Sequence, residues 1–549
     1  MQAVTNNQAL YKKIIPAAIF LLVLFGGTAS VQQQSNAGTA PSDTTREIHI
    51  IKAKSLREKN IDSLSTIETA AGDVVIQEGL TITNCDSVVI QRPANIVEAF
   101  GNVHINDHDS IHTYSQYMKY IGADRIAYLK KSVKLTDKKG VLMTDDLEYN
   151  LRTGIATYKG GGKVVNGKTV LTSTEGIYAS DTKDVYFKKN VHLVDPKYDI
   201  RTDSLLYNIN TDIATFIAPT HIVSKDGTID TKSGNYNLKT GEAIFFERTY
   251  ISDSSRSIVG DKIVSDEKSG IVLIEGRAKM VDSTNQVTVI AGHLELSKKE
   301  NSFLAYNKPV MIIHKDNDST YIAADTLFSG LRKYDSLEKK QLAKADTIKN
   351  RVVVNVNKAD TAVRYFLGFH HVRIFNDSLQ SVSDSLYYST QDSTFKLFGK
   401  PIVWNAQTQI TGDTIYMYTQ NQKPKRLYVF FNGMIANETA PGLYNQIGGR
   451  TLNGYFIEGT IDYVTVKGTP AESIFYPQDD DSAYTGMNYS TGDVINVYFV
   501  NKELNKVKFV NNVDGVMYPL KQIPADKKYL KGFKWQDARR PKNKLELFE

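Results

Sequence analysis

The chain has 549 residues, 41% hydrophobic and 23% charged, with a net charge of +6 at neutral pH. These proportions fit an ordinary folded chain, and the small, interspersed charge excludes the basic stripe that nucleic-acid binding needs. The single cysteine, Cys85, excludes an intrachain disulfide and any Cys-rich zinc or dithiol redox centre.

At the start, Lys12 and Lys13 precede the apolar run Ile14 to Gly27, followed by the small residues Thr28, Ala29 and Ser30. This order predicts a signal peptide over 1–30, too short for a comfortable span of about 20 residues. An uncleaved anchor is the other reading; either way the bulk of the chain is exported. Residues 31–45 are small and polar and predict a flexible linker. From Arg46 the pattern is β. Short runs alternate apolar and polar, as in Val103-His-Ile105, Val133-Lys-Leu135, Val191-His-Leu193 and Val372-Arg-Ile374. Turn clusters such as Asn106-Asp107 and Lys225-Asp-Gly227 bound them.

A repeat organises these runs. Tyr120, Tyr149, Tyr178, Tyr207 and Tyr236 recur every 29 residues (149−120, 178−149, 207−178, 236−207). A fixed period of this size marks one supersecondary unit stacked on copies of itself. The motif Thr202-Asp-Ser-Leu-Leu-Tyr207 has relatives ending at Ile90, Ser265, Leu296, Ser329, Tyr388 and Met417. Its aspartate recurs at Asp86, Asp145, Asp203, Asp261, Asp325, Asp384 and Asp413. A carboxylate there is expected to accept backbone N–H bonds at a corner. A calcium ladder would need a denser Gly and Asp repeat. Residues 331–360 are lysine-rich and predict a charged loop insertion, with a degenerate repeat as the alternative. Strand signal continues to about 525 without a clear period after Gln420, and 526–549 predicts a surface tail.

No catalytic constellation is found. His104, His108 and His112 span a turn rather than a helix, and His370 and His371, adjacent in a strand, are expected on opposite faces. Ser180-x-x-Lys183 and Lys239-Thr-Gly241 imitate scattered pieces of a β-lactamase signature without its remaining motif. No phosphate-binding loop appears, so no enzyme activity, metal or cofactor is expected.

Several of these pieces together resemble the LptA/OstA-like family of periplasmic lipopolysaccharide-transport proteins. They are the strand opening Gly101-Asn-Val103, the corner Ala323-Ala-Asp-Thr-Leu327, the strand-terminal tyrosine, the stretch Phe369 to Tyr388, and Gly399-Lys-Pro-Ile-Val-Trp404. The resemblance covers about Arg46 to Met417. It implies an all-β fold, an elongated repetitive β-jellyroll of V-shaped antiparallel strands, with repeats over 46–330 and 361–525. Eleven units at two strand spacings each would extend on the order of 100 Å. It also implies a non-enzymatic periplasmic scaffold that shields lipopolysaccharide acyl chains in an apolar groove during outer-membrane assembly. The expected lining is Val103, Ile105, Val133, Leu135, Val191, Leu193, Leu205, Tyr207, Val310, Ile312, Val372, Ile374, Ile402 and Trp404. Expected partners are lipopolysaccharide, other Lpt-type jellyroll proteins joined by edge-strand addition, and further copies of the chain end to end. On residue pattern alone a filled dry core, as in a structural or adhesive β-solenoid at the cell surface, remains the other reading.

Overall fold

The computed structural model describes residues 47–137, 139–314, 319–333, 362–420, 423–500 and 503–548. The predicted signal peptide and linker lie outside the described residues. Within the unit Glu47–Glu549, 36 strands form one hydrogen-bonded antiparallel sheet. It is a repetitive β-jellyroll. Sequence neighbours pair with each other, as in Ile96–Asp107 with Ile111–Ile121 and Ile126–Thr136 with Gly140–Asn150.

A bend in the middle of each long strand makes two walls from this one sheet. Left-handed residues mark the bend: Gly101-Asn102, Lys131-Ser132, Lys189-Asn190, Gly276-Arg277 and Phe431-Asn432. Register slips at the same places, for example between Phe100 and Val103. An extra residue in one strand is a β-bulge, which sharpens the local turn. The two halves of each strand thereby face each other across a single apolar core.

On one wall the inward row alternates large and small. Val97 pairs with Tyr120, Tyr120 with Ala127, Ala127 with Tyr149, Tyr149 with Ala156, and Ala156 with Tyr178. The opposite wall supplies aliphatic pairs such as Leu135 with Leu142 and Leu193 with Ile200. Small residues beside each ring leave room for it, so the layers interdigitate at ordinary interior density. Tyr149, Leu193 and Leu205 are almost completely buried.

The repeated aspartates sit at the bends. Their partners are mostly side chains of the neighbouring bend, rather than the expected backbone N–H groups. Asn102 donates to Asp86 (3.0 Å), Asn432 to Asp413 (2.9 Å), and Arg277 to Asp261 (2.8 and 2.9 Å). Among the described residues, a backbone N–H donates only at Asp145, from Ser132 (3.2 Å). The expectation for His370 and His371 also needs correcting. Both have positive φ at a bend, which breaks the alternation of faces. Both rings are exposed, pairing with Asp384 (3.2 Å) and Asp325 (2.9 Å).

Leu331 to Lys333 extend the strand Thr326–Lys333 and pair with Arg364 back to Ala362. The remainder of the predicted insertion, 334–361, lies outside the described residues. At the C-terminus, residues 519–548 run as a strap over the outer face of one wall. Three buried glutamines hold it. Gln446 and Gln409 each present an amide that donates to one strap carbonyl and accepts from one strap N–H, at Lys528/Leu530 and Lys534/Gln536. Gln380 accepts from the Arg540 guanidinium. Leu547 then packs on Val310, Ile312 and Ala323.

Candidate functional site between the two walls

The free ends of the walls form a mouth, and the repeated tyrosines close it. Tyr120 donates to Glu78 (2.5 Å), Tyr149 to Asp107 (3.2 Å) and Tyr178 to Asp137 (2.7 Å), each partner lying on the opposite wall. Tyr207 accepts from Asn166 (3.2 Å) and donates to Asp212 (2.9 Å). The separation along the chain stays at 41 or 42 residues because both partners repeat with nearly the same period. Burial and the adjacent Asp137 carboxylate push the Tyr178 hydroxyl pKa up; burial and Asp107 do the same to Tyr149. At Asp137 burial opposes ionisation. The Gly140 N–H, the Tyr178 hydroxyl and the Lys183 ammonium (3.2 Å) outweigh it and hold the carboxyl below its usual range. A hydrogen bond to a charged acceptor of this kind contributes about 1.5–3 kcal/mol.

Beyond Tyr236 the row changes. Ala243 pairs with Ser265 and Ser265 with Val272, so three small or medium residues are consecutive. The next motif positions are Leu296 and Ser329. No ring stands in the row between Tyr236 and Phe303, and a chamber of about 890 Å³ opens. Ala243, Ser265, Val272, Leu296 and Phe303 line one wall; Ile229, Ile251, Ile258, Met280 and Val287 line the other. Lys197, Lys225, Asp226, Glu267 and Lys298 stand exposed at its rim. At one end the closing contact is aromatic, with Tyr198 and Tyr236 edge to face at 4.8 Å between centroids. At the other end the ring row resumes with Phe303 and Phe366 at 6.5 Å, followed by Phe366 and Tyr388 at 5.9 Å. The interior is therefore packed on both sides of an opening. The volume lies in the usual range for small-molecule pockets; its inner walls carry the apolar residues, while many polar and charged side chains, Arg256, Asp282, Asn301 and Arg364 among them, also border it.

The residues predicted to line a groove fall in two sets. Val103, Ile105, Val133, Leu135, Val191, Leu193, Leu205, Tyr207, Val372 and Ile374 point inward and belong to the central core. None of them borders the chamber. Ile105 borders a small void of about 30 Å³ near Ile48 and Met118. Val310, Ile312, Ile402 and Trp404 point the other way, with Met311 and Val403 taking the inward places. These short strands read as apolar on both faces. The strap covers the outer one near Val310 and Ile312, so alternation could not say which face was inner. The chamber itself was missed. The signal was present: the motif ends in Ser265, Leu296 and Ser329, where the five units before them end in tyrosine.

Residues 45–203 match the family model described as OstA-like protein. Residues 157–251 match the model described as lipopolysaccharide-assembly, LptC-related. Among solved structures, LptH from Pseudomonas aeruginosa is similar, titled the LptA-homologous periplasmic component of a lipopolysaccharide transport device. It is 19% identical, covers 21% of this chain and 84% of that chain, and gives a TM-score of 0.19. No curated protein matches. The chamber lies only partly within the OstA-like and LptC-related segments, since Leu296, Phe303 and Phe366 fall beyond them.

Proposed function

We propose that this chain is a non-enzymatic periplasmic scaffold for lipopolysaccharide transport, and that it shields acyl chains in the chamber between Ala243 and Phe366. The observation that carries this reading is the break in the tyrosine row. It leaves the layers between Tyr236 and Phe303 without a filling ring, whereas the layers from Tyr120 to Tyr207 carry one each. Each guest methylene buried there gains about 0.8 kcal/mol. The predicted lining residues Val103 to Tyr207 act on this reading as the packed wall that ends the chamber, and Val372 and Ile374 serve beyond its other end. The OstA-like and LptC-related segments support the choice of lipopolysaccharide over another lipid.

The edge strands support the proposed partners. Among the described residues, His49–Lys52 and Ser55–Asn60 pair on one side only, with Thr66–Glu78. Glu503–Val510 and Asp514–Tyr518 likewise pair on one side only among the described residues, with Met487–Val500. Free edges of this kind accept a further strand from another jellyroll protein or another copy. Photocrosslinkers at Leu296 and at Leu193 test the function. Lipopolysaccharide captured at Leu296 and not at Leu193 is expected. Capture at neither position, in protein that is folded and exposed to lipopolysaccharide, would remove the basis for transport.

A further inference from the structure

Two guanidinium groups meet at the end of the chamber near Phe366. Arg256 and Arg364 come from opposite walls and are joined through Asn301. Arg256 Nη2 donates to Asn301 Oδ1 (2.9 Å), while Arg364 Nη1 donates to the Asn301 carbonyl (3.2 Å) and to Ser329 Oγ (3.0 Å). One carboxylate, Asp282, lies beside Arg256 Nε at 3.2 Å and already accepts the backbone and side-chain N–H groups of Asn285. Among the described residues no carboxylate lies within ion-pair distance of Arg364. Burial, and then the charge of Arg256, depress the Arg364 pKa, and Asp282, beyond ion-pair distance of Arg364, offsets them only in part. Two half-buried guanidiniums sharing one carboxylate are costly, and an anion supplied by a ligand lowers the cost.

We propose that Arg364 and Arg256 form an anion subsite that takes the phosphate monoester of an acyl amphiphile whose chain lies on the chamber walls. The proposal rests on the lipid-chamber reading above. Guanidinium forks match phosphate oxygens, and a tetrahedral group presents oxygens to donors arriving from two walls, where a planar carboxylate faces one.

Titration of the full chain with hexadecyl phosphate, hexadecanol and inorganic phosphate tests it. The phosphate ester is expected to bind about 10- to 100-fold more tightly than the alcohol. Arg364→Gln narrows that ratio to within about threefold, and Arg364→Lys, which keeps the charge, retains much of it. Equal binding of ester and alcohol to the native chain overturns the subsite and leaves the chamber standing. Equal loss of the preference in both variants assigns the effect to packing and also overturns it. Displacement of the ester by millimolar inorganic phosphate means the site takes free phosphate, which overturns the headgroup assignment. Binding of neither amphiphile overturns the chamber reading itself.

Discussion

Replacing Ser265 by Tyr restores the row at the first place where its loss opens the chamber. Ala243 and Val272 would flank the new ring much as Ala214 and Ala243 flank Tyr236. The ring enters empty volume rather than a packed layer, so the overpacking penalty of about 1–3 kcal/mol does not apply. A ring of this size displaces roughly four methylenes of a guest chain, about 3 kcal/mol at ~0.8 kcal/mol each. That corresponds to roughly 200-fold weaker binding. The assay is titration of purified lipopolysaccharide against the native and Ser265→Tyr chains, with a thermal melt as the folding control. A variant that melts at or above the native temperature and binds within twofold of it would refute the reasoning, because the guest would then not occupy this space.

Four other outcomes follow from the same geometry. Tyr178→Phe removes the hydrogen bond to Asp137 and should cost about 1.5–3 kcal/mol, read from denaturant unfolding; no change would mean that the mouth contact is not stabilising. The depressed carboxyl pKa values of Asp137, Asp253 and Asp282 contribute stability that is complete above the unfolded value of about 3.9 and lost as the pH falls through the folded values. Melting temperature should therefore drop below about pH 4, and drop less steeply in Asp137→Asn. Leu205→Asp places an unpaired charge in a fully buried position and should destabilise its layers by more than about 4 kcal/mol, seen as loss of protease resistance. Ending the chain after Tyr518 removes the strap and Trp535, leaving Trp404 as the sole tryptophan; its emission should shift to the red as the outer face is uncovered, and an unshifted spectrum would show that the strap does not cover it.

The walls were legible because alternation and the 29-residue period are local. An inward Val103 or Leu193 follows from its neighbours in the chain, since a strand puts every second side chain on one face. The same rule failed at Val310, Ile312, Ile402 and Trp404. Where both faces are apolar, the period carries no information about which one meets the opposite wall. It failed also at His370 and His371, where positive φ at the bend replaces alternation.

What the sequence determined by itself was the repeated unit: its strand pattern, its bends, its aspartates and the tyrosine at each mouth. Only the tertiary structure decided that those tyrosines reach Glu78, Asp107 and Asp137 on the facing wall, and that their absence at Ser265 and Ser329 opens a chamber. The physical reason is distance along the chain. Each mouth contact joins residues more than a full repeat apart, and an empty volume belongs to no residue, appearing only when two walls are brought face to face.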